Sequence, residues 1–230
     1  ARVDVYERLT APFGLVRYGV APDHPRIQRI QETLQQVLDD PRIRLLSNVD
    51  VGVDVGISEL RDAYDGVVIA AGADKDAPLG IPGEHLPGSF GSADFVAWYD
   101  GHPDAAAPWP LAAESVAVIG AGNVALDVSR MLIKHAEHLT HTDIPGSVES
   151  GFRSNLIRDL HIFIRRGLAD VRFSPTQLRE LGSQEDVDII VDPADVVLDE
   201  HAQRMVEQFS PVRRVVQTLT EWARVDPATR

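Results

Sequence analysis

Residues 115–127 read Ser-Val-Ala-Val-Ile-Gly-Ala-Gly-Asn-Val-Ala-Leu-Asp: a short apolar run, a Gly-x-Gly turn, and a helical pattern that continues through Met131 and Leu132. This junction constrains the fold more than any other segment. A strand that passes through two glycines into a helix aims backbone N–H groups and the positive end of the helix dipole at one point, and the missing side chains let an anion approach the main chain. The pattern is that of a pyrophosphate cradle in a parallel α/β sheet, with Ala125 standing where a third glycine is usual. An ordinary tight turn is the alternative, and the flanking strand and helix weigh against it.

The rest of the chain alternates the same two element types. Strand patterns fall at 2–7, in two short runs within 43–55, at 65–73, 159–167 and 187–191; helical periods fall at 24–39, 57–64, 92–100, 176–181, 199–207 and 212–222. Ser58 is the expected cap of the helix at 57–64, and the Gly- and Pro-rich stretch 12–22 reads as a loop. The run at 65–73 is continuously apolar and closed by small residues, as expected of a strand buried on both faces. Three prolines and three glycines in residues 77–88 read as an interdomain linker. Strands alternating with helices imply an α/β, Rossmann-like, doubly wound parallel sheet.

Composition excludes several function classes. The 230 residues carry 35 acidic and 22 basic side chains, a formal net charge of −13, which argues against nucleic acid because phosphate binding is mainly neutralisation by Lys and Arg. The chain has no cysteine, hence no disulfide framework, thiol catalysis or cysteine-held cluster, and this is compatible with a reducing, cytoplasmic setting. It has no apolar run of the roughly 18 residues that a transmembrane segment needs. It opens on Ala-Arg-Val-Asp-Val, directly in a strand pattern and without an initiator Met, so a segment is expected to precede it.

Beyond the glycine turn, Arg165 and Arg166 end the next strong strand. In a dinucleotide fold that strand end meets the adenosine ribose, where acid suits a 2′-hydroxyl and arginine a 2′-phosphate, so the pair favours NADP over NAD. A solvated arginine pair is the alternative. The separation from the glycine turn is about twice the usual spacing of about 20 residues, which an insertion over 138–155 would explain. Glu7 closes the first strand and has the complementary reading, a ribose-diol acceptor of a second dinucleotide, against the alternative of an exposed turn residue. His24 and Glu180 are candidate catalytic, proton-handling groups, against a histidine at a helix start and a glutamate on a helix surface. His135, His138 and His141 give no complete ligand set and read as surface residues, so no metal is assigned.

Several linked motifs then converge: Val5-Tyr-Glu-Arg, Gly14-Leu-Val-Arg-Tyr-Gly-Val-Ala-Pro-Asp-His24, Leu79-Gly-Ile-Pro-Gly83, Gly120-x-Gly-Asn-Val-Ala-Leu-Asp127, Thr142-Asp-Ile-Pro145 and Arg165-Arg-Gly167. Together they resemble the adrenodoxin reductase family of ferredoxin–NADP reductases, collinearly along essentially the whole chain. The resemblance implies a flavoprotein of the glutathione-reductase type, in which FAD takes hydride from NADPH and passes electrons to a ferredoxin-type iron–sulfur protein. It implies Glu7 at the FAD ribose, Leu15 and Val51 lining FAD, Gly120, Ala121, Gly122, Asn123 and Val124 at the NADP pyrophosphate, and Arg165 with Arg166 at the 2′-phosphate. Two cofactor positions depart from the family pattern: Ala121 stands where Gln is usual and Gln177 where Glu is usual.

The family's first Gly-x-Gly-Pro-Ala-Gly loop and its C-terminal Trp-x-x-Gly-Pro-x-Gly segment are both missing from this sequence. The resemblance therefore implies a fragment lacking both ends, with residues 1–74 part of an FAD-binding domain and 75–230 an NADP-binding domain. An acidic ferredoxin would be repelled by net charge −13 unless charge is segregated, and Arg172, Arg179, Arg213 and Arg214 are the expected docking cations, against a solvated, salt-bridged face. Two rival functions stand beside this one: an isolated NADP(H)-binding module without catalysis, and a glutamate synthase-type reductase subunit of shared fold.

Overall fold

A computed structural model describes residues 1–73, 75–105 and 108–225, with the side chain of Arg26 left out. The chain divides by packing into two compact units, residues 1–107 with 142–145, and residues 108–141 with 146–230. Residues 75–105 thus pack with the first unit, whereas the boundary at 74–75 follows motif order.

In the first unit, β1 (Val3–Glu7) and β2 (Ile43–Ser47) pair in parallel, in register from Val3 opposite Ile43 to Glu7 opposite Ser47. A parallel pair needs a crossover, here made by α1 (Gly14–Tyr18), α2 (Pro25–Gln28) and α3 (Ile30–Leu38). The expected loop at 12–22 therefore contains a short helix. Phe13 opens it at φ 89°, and the Arg17 guanidinium lies over the Phe13 ring, 5.7 Å from its centroid, while Arg17 Nε donates to Pro12 O at 3.0 Å. The helix expected at 24–39 is present in two pieces that meet at Arg29.

The second strand-like run within 43–55 is a turn. Gly52 takes φ 109°, the left-handed region open to glycine, and the Asp50 N–H donates to Asp54 Oδ2 at 2.8 Å, so the chain bends and only Val51 and Val55 form a bridge. Helix α4 (Ile57–Ala63) is capped two residues earlier than expected: the residue before it is Gly56, whose N–H donates to Glu59 Oε2 at 2.7 Å, and Ser58 is inside the helix. Helix α5 (Ser92–Tyr99) buries Phe95, Val96, Trp98 and Tyr99, with the Phe95 ring edge-on to Tyr99 at 5.2 Å. In the linker, Glu84 accepts the N–H groups of Leu79 and Gly80 at 2.7 Å each, and these bonds hold its carboxyl below the usual carboxylate range.

The strand expected at 65–73 does not form. Val68 is 89% and Ile69 75% exposed, because no described segment offers this run a hydrogen-bonded neighbour.

The second unit is built on β3 (Ser115–Ile119) and β4 (Asp159–Phe163), again parallel, in register from Ser115 opposite Asp159 to Ile119 opposite Phe163. Helices α6 (Asn123–Leu132), α7 (Gly146–Arg153), α8 (Pro175–Gly182), α9 (Glu200–Gln208) and α10 (Ser210–Ala223) follow in order. The insertion over 138–155 folds around α7, which buries Val148 and Phe152, and Asn155 Nδ2 donates to Leu132 O at 2.7 Å, serving the open C-terminal end of α6. The core joins Leu126 of α6, Phe173, Leu178 and Leu181 at α8, and Val215 and Leu219 of α10, with Ile162, Ile189 and Val191 packed against it. Ile189 and Val191 reach this core from an irregular segment: the strand expected at 187–191 is absent, again for want of a paired neighbour. The fold is α/β and Rossmann-like with parallel strands. Among the described residues no helix is long and apolar enough to cross a membrane.

Candidate nucleotide-binding site

Strands β3 and β4 end side by side, and the ladder continues one step further as the Gly120 N–H donates to Phe163 O at 3.1 Å. The chain then turns into α6. A Cβ on Gly120 would stand 3.0 Å from Ala125 Cβ, so this position needs glycine for the close approach of strand to helix. At Gly122 the reason differs: a Cβ there would meet nothing within 4 Å and would project into the open space before the helix. Helix α6 has no side-chain cap, and the N–H groups of Gly122, Asn123 and Val124 meet no acceptor among the described residues. Open donors, the helix dipole and an unobstructed approach make a cradle that fits a pyrophosphate.

The turn is held from behind by the segment that leads into α8. Arg172 donates its backbone N–H to Ala121 O at 2.7 Å, and Ser174 donates its own to Asn123 Oδ1 at 2.8 Å. Ser174 also caps α8, its hydroxyl accepting from the Gln177 N–H at 3.2 Å. Two turns into α6, Arg130 is 1% exposed and bridges the helices: Nη1 donates to Gln177 Oε1 at 3.2 Å, Nη2 lies 3.0 Å from Asp127 Oδ1, and Nη1 lies 3.7 Å from Glu180 Oε2. Lys134 Nζ donates to Gln184 Oε1 at 2.8 Å further along. Helices α6 and α8 are therefore joined by polar bonds along their length, and a buried guanidinium is satisfied by carboxylates and an amide, as it must be.

Arg165 and Arg166 follow the end of β4, exposed and without a hydrogen bond or ion pair among the described residues. They stand at the same end of the β3–β4 pair as the glycine turn, as the sequence reading requires. Of the other expected site residues in this unit, Gln177 and Glu180 face Arg130.

The residues expected at a second dinucleotide lie in the first unit. Glu7 ends β1 and turns back on itself, with Oε1 accepting the Leu9 N–H at 2.9 Å. Leu15 in α1 is 68% exposed, Val51 sits in the turn bridged to Val55, and half-buried His24 immediately precedes α2. His24 and Glu180 belong to different units.

Sequence reasoning missed the part played by residues 172–174 and Arg130. Ser174-Pro-Thr-Gln177 carries the Ser-x-x-Gln signature of a helix start, which marks α8, but no local pattern shows that this start is bonded to Asn123.

Residues 9–162 match the model of the pyridine nucleotide-disulphide oxidoreductase family. The chain is 45% identical over 203 residues to NADPH-ferredoxin reductase FprA of Mycobacterium leprae, covering 87% of this chain and 44% of that protein. It is 39% identical over 228 residues to the mitochondrial NADPH:adrenodoxin oxidoreductase of Bos taurus, covering 99% of this chain and 46% of that one. The solved structure of Mycobacterium tuberculosis FprA in complex with NADPH superimposes with a TM-score of 0.92 at 40% identity, over 98% of this chain and 50% of that chain. The chain thus spans about half the length of the relatives it matches.

Proposed function

Because this chain belongs to the pyridine nucleotide-disulphide oxidoreductase family, we propose that it supplies the NADP(H) site and part of the FAD site of a reductase that moves electrons from NADPH through FAD to a ferredoxin-type iron–sulfur protein. Its relatives are named NADPH-ferredoxin and NADPH:adrenodoxin reductases, which supports the reaction class. Residues 1–74 belong to the FAD part and 75–230 to the NADP part on this reading. The observation that carries it is the uncapped start of α6 behind Gly120 and Gly122, with two unpaired arginines, Arg165 and Arg166, at the same strand ends.

The residues act as follows. The N–H groups of Gly122, Asn123 and Val124 hold the pyrophosphate, and Arg165 with Arg166 take the 2′-phosphate, the group that separates NADPH from NADH. Glu7, with Oε1 already accepting from Leu9, offers Oε2 to the ribose diol of FAD, and Leu15 and Val51 line its apolar parts. Bound FAD supplies the conversion of a two-electron donor into single electrons. His24 and Glu180 are the proton-handling groups, and the guanidinium of Arg130 orients the Glu180 carboxylate. Arg179 and Arg214, both exposed, serve the acidic ferredoxin as docking cations; Arg213 is occupied at the end of α9, donating to Val206 O at 2.9 Å and Glu207 O at 2.7 Å.

A second reading is a module that binds NADP(H) and catalyses nothing alone. It is favoured by the exposure of Val68 and Ile69, an apolar run left unpaired in the unit that carries Glu7, Leu15 and Val51. Absorbance of the purified chain separates the two. Stoichiometric bound flavin supports the reductase, and NADPH binding without flavin supports the module. Failure to bind either cofactor overturns both.

A further inference from the structure

The segment after Arg165 and Arg166 returns to the glycine turn and is bonded there twice, by the Arg172 N–H to Ala121 O at 2.7 Å and by the Ser174 N–H to Asn123 Oδ1 at 2.8 Å. The main chain of Arg172 therefore lies against the peptide at 121, beside the open N–H groups of α6. Its guanidinium is exposed and enters no hydrogen bond or ion pair among the described residues. The chain has acid to spare, with net charge −13, and Arg8, Arg42, Arg44, Arg153 and Arg204 each have a carboxylate within 4.0 Å. An arginine left without one at this place adds a positive charge to a cradle that is already positive from the helix dipole.

We infer that Arg172 is a third phosphate ligand of the nucleotide site, its guanidinium closing on the pyrophosphate while Arg165 and Arg166 hold the 2′-phosphate. This inference rests on the NADP(H) reading above and deepens it. It takes Arg172 away from the ferredoxin-docking face. The pyrophosphate is the target because the residue is anchored to the turn itself, whereas Arg165 and Arg166 continue from the end of β4.

The test is calorimetric titration of the full chain, Arg172→Ala and Arg172→Lys with NADPH, NADH and 2′-AMP, which has a 2′-phosphate and no pyrophosphate. The alanine variant keeps its backbone N–H, so the bond to Ala121 is retained, and an unchanged melting curve checks that the fold is too. Arg172→Ala is expected to weaken NADPH and NADH alike by about tenfold, the loss of one charge-assisted hydrogen bond, with 2′-AMP unaffected and Arg172→Lys recovering part of the affinity. Unchanged NADPH and NADH affinity in Arg172→Ala overturns the inference, as does a loss confined to NADPH and 2′-AMP. If the unaltered chain binds none of the three, the NADP(H) reading fails as well, an outcome distinct from the first two.

Discussion

The backbone N–H of Ser174 donates to the side-chain oxygen of Asn123 at 2.8 Å, across a separation of 51 residues. One bond thus joins the first residue of α6 to the cap of α8. The side chain of Asn123 is committed to the protein, and only its backbone N–H faces the cradle. Replacing Asn123 by Ala removes the acceptor while leaving that N–H in place. The expected result is a loss of about 1 kcal/mol of stability and weaker NADPH binding, read by thermal melting and by titration. Asn123→Asp retains an oxygen acceptor and is expected to recover most of the stability, though not the binding, because its charge opposes the anion; equal losses of stability in the two variants count against the tether.

Arg165→Ala and Arg166→Ala test cofactor choice. Each removes a charge-assisted contact to the 2′-phosphate, so NADPH affinity falls by about tenfold or more while NADH affinity holds. The discriminating quantity is the ratio of the two dissociation constants. A ratio unmoved in both variants rules out the clamp.

Gly182 closes α8 under the ring of Trp222. A Cβ there would come within 2.5 Å of Trp222 Cζ2, in a ring of α10 that packs against the core formed with Leu178 and Leu181. Gly182→Ala is expected to cost about 1–3 kcal/mol, the range for overpacking a filled site, although alanine is the better helix former. Urea denaturation measures it, and an unchanged midpoint would show that Trp222 can move aside.

Asp4 ties β1 to β2. Its carboxylate accepts from Arg44 Nη2 at 2.5 Å and from the Tyr64 hydroxyl, and both bonds hold its pKa below the usual 3.8, Arg44 foremost. The same contact with Asp4 raises the Tyr64 hydroxyl pKa. A depressed acid stabilises the fold above its unfolded pKa, so the contribution of Asp4 is complete near neutrality and disappears as pH falls below about 4 towards the lowered value. In Asp4→Asn the acid limb of stability against pH is expected to flatten. A limb identical to that of the unaltered chain assigns the acid sensitivity to other carboxylates.

How much could be read from the sequence follows from the range over which each signal acts. The glycine turn, the helices over 123–132 and 176–181 and the strands at 3–7 and 159–163 were all legible, because a period or a glycine turn is a property of a few consecutive residues. Apolar composition at 187–191 marked chain that packs on the core through Ile189 and Val191, whereas the run at 65–73, of the same character, is exposed. It could not make either run a strand, since a strand exists only when a neighbour accepts its hydrogen bonds. At 49–55 the alternation of valines was overridden by Gly52 and the Asp50–Asp54 bond.

The sequence by itself determined the α/β class, the parallel pairing implied by alternating elements, and the strand–glycine–helix turn between β3 and α6, because each is written in local spacing. Only the tertiary structure decided which polar side chains remain free to meet a ligand. Gln177 and Glu180 are turned to a buried Arg130, Asn123 is bonded to Ser174, and Arg165, Arg166 and Arg172 are left unpaired at one edge. The physical reason is that burying a guanidinium requires partners wherever the fold can bring them, and α6 and α8 meet through contacts 47 to 51 residues apart that no local pattern contains.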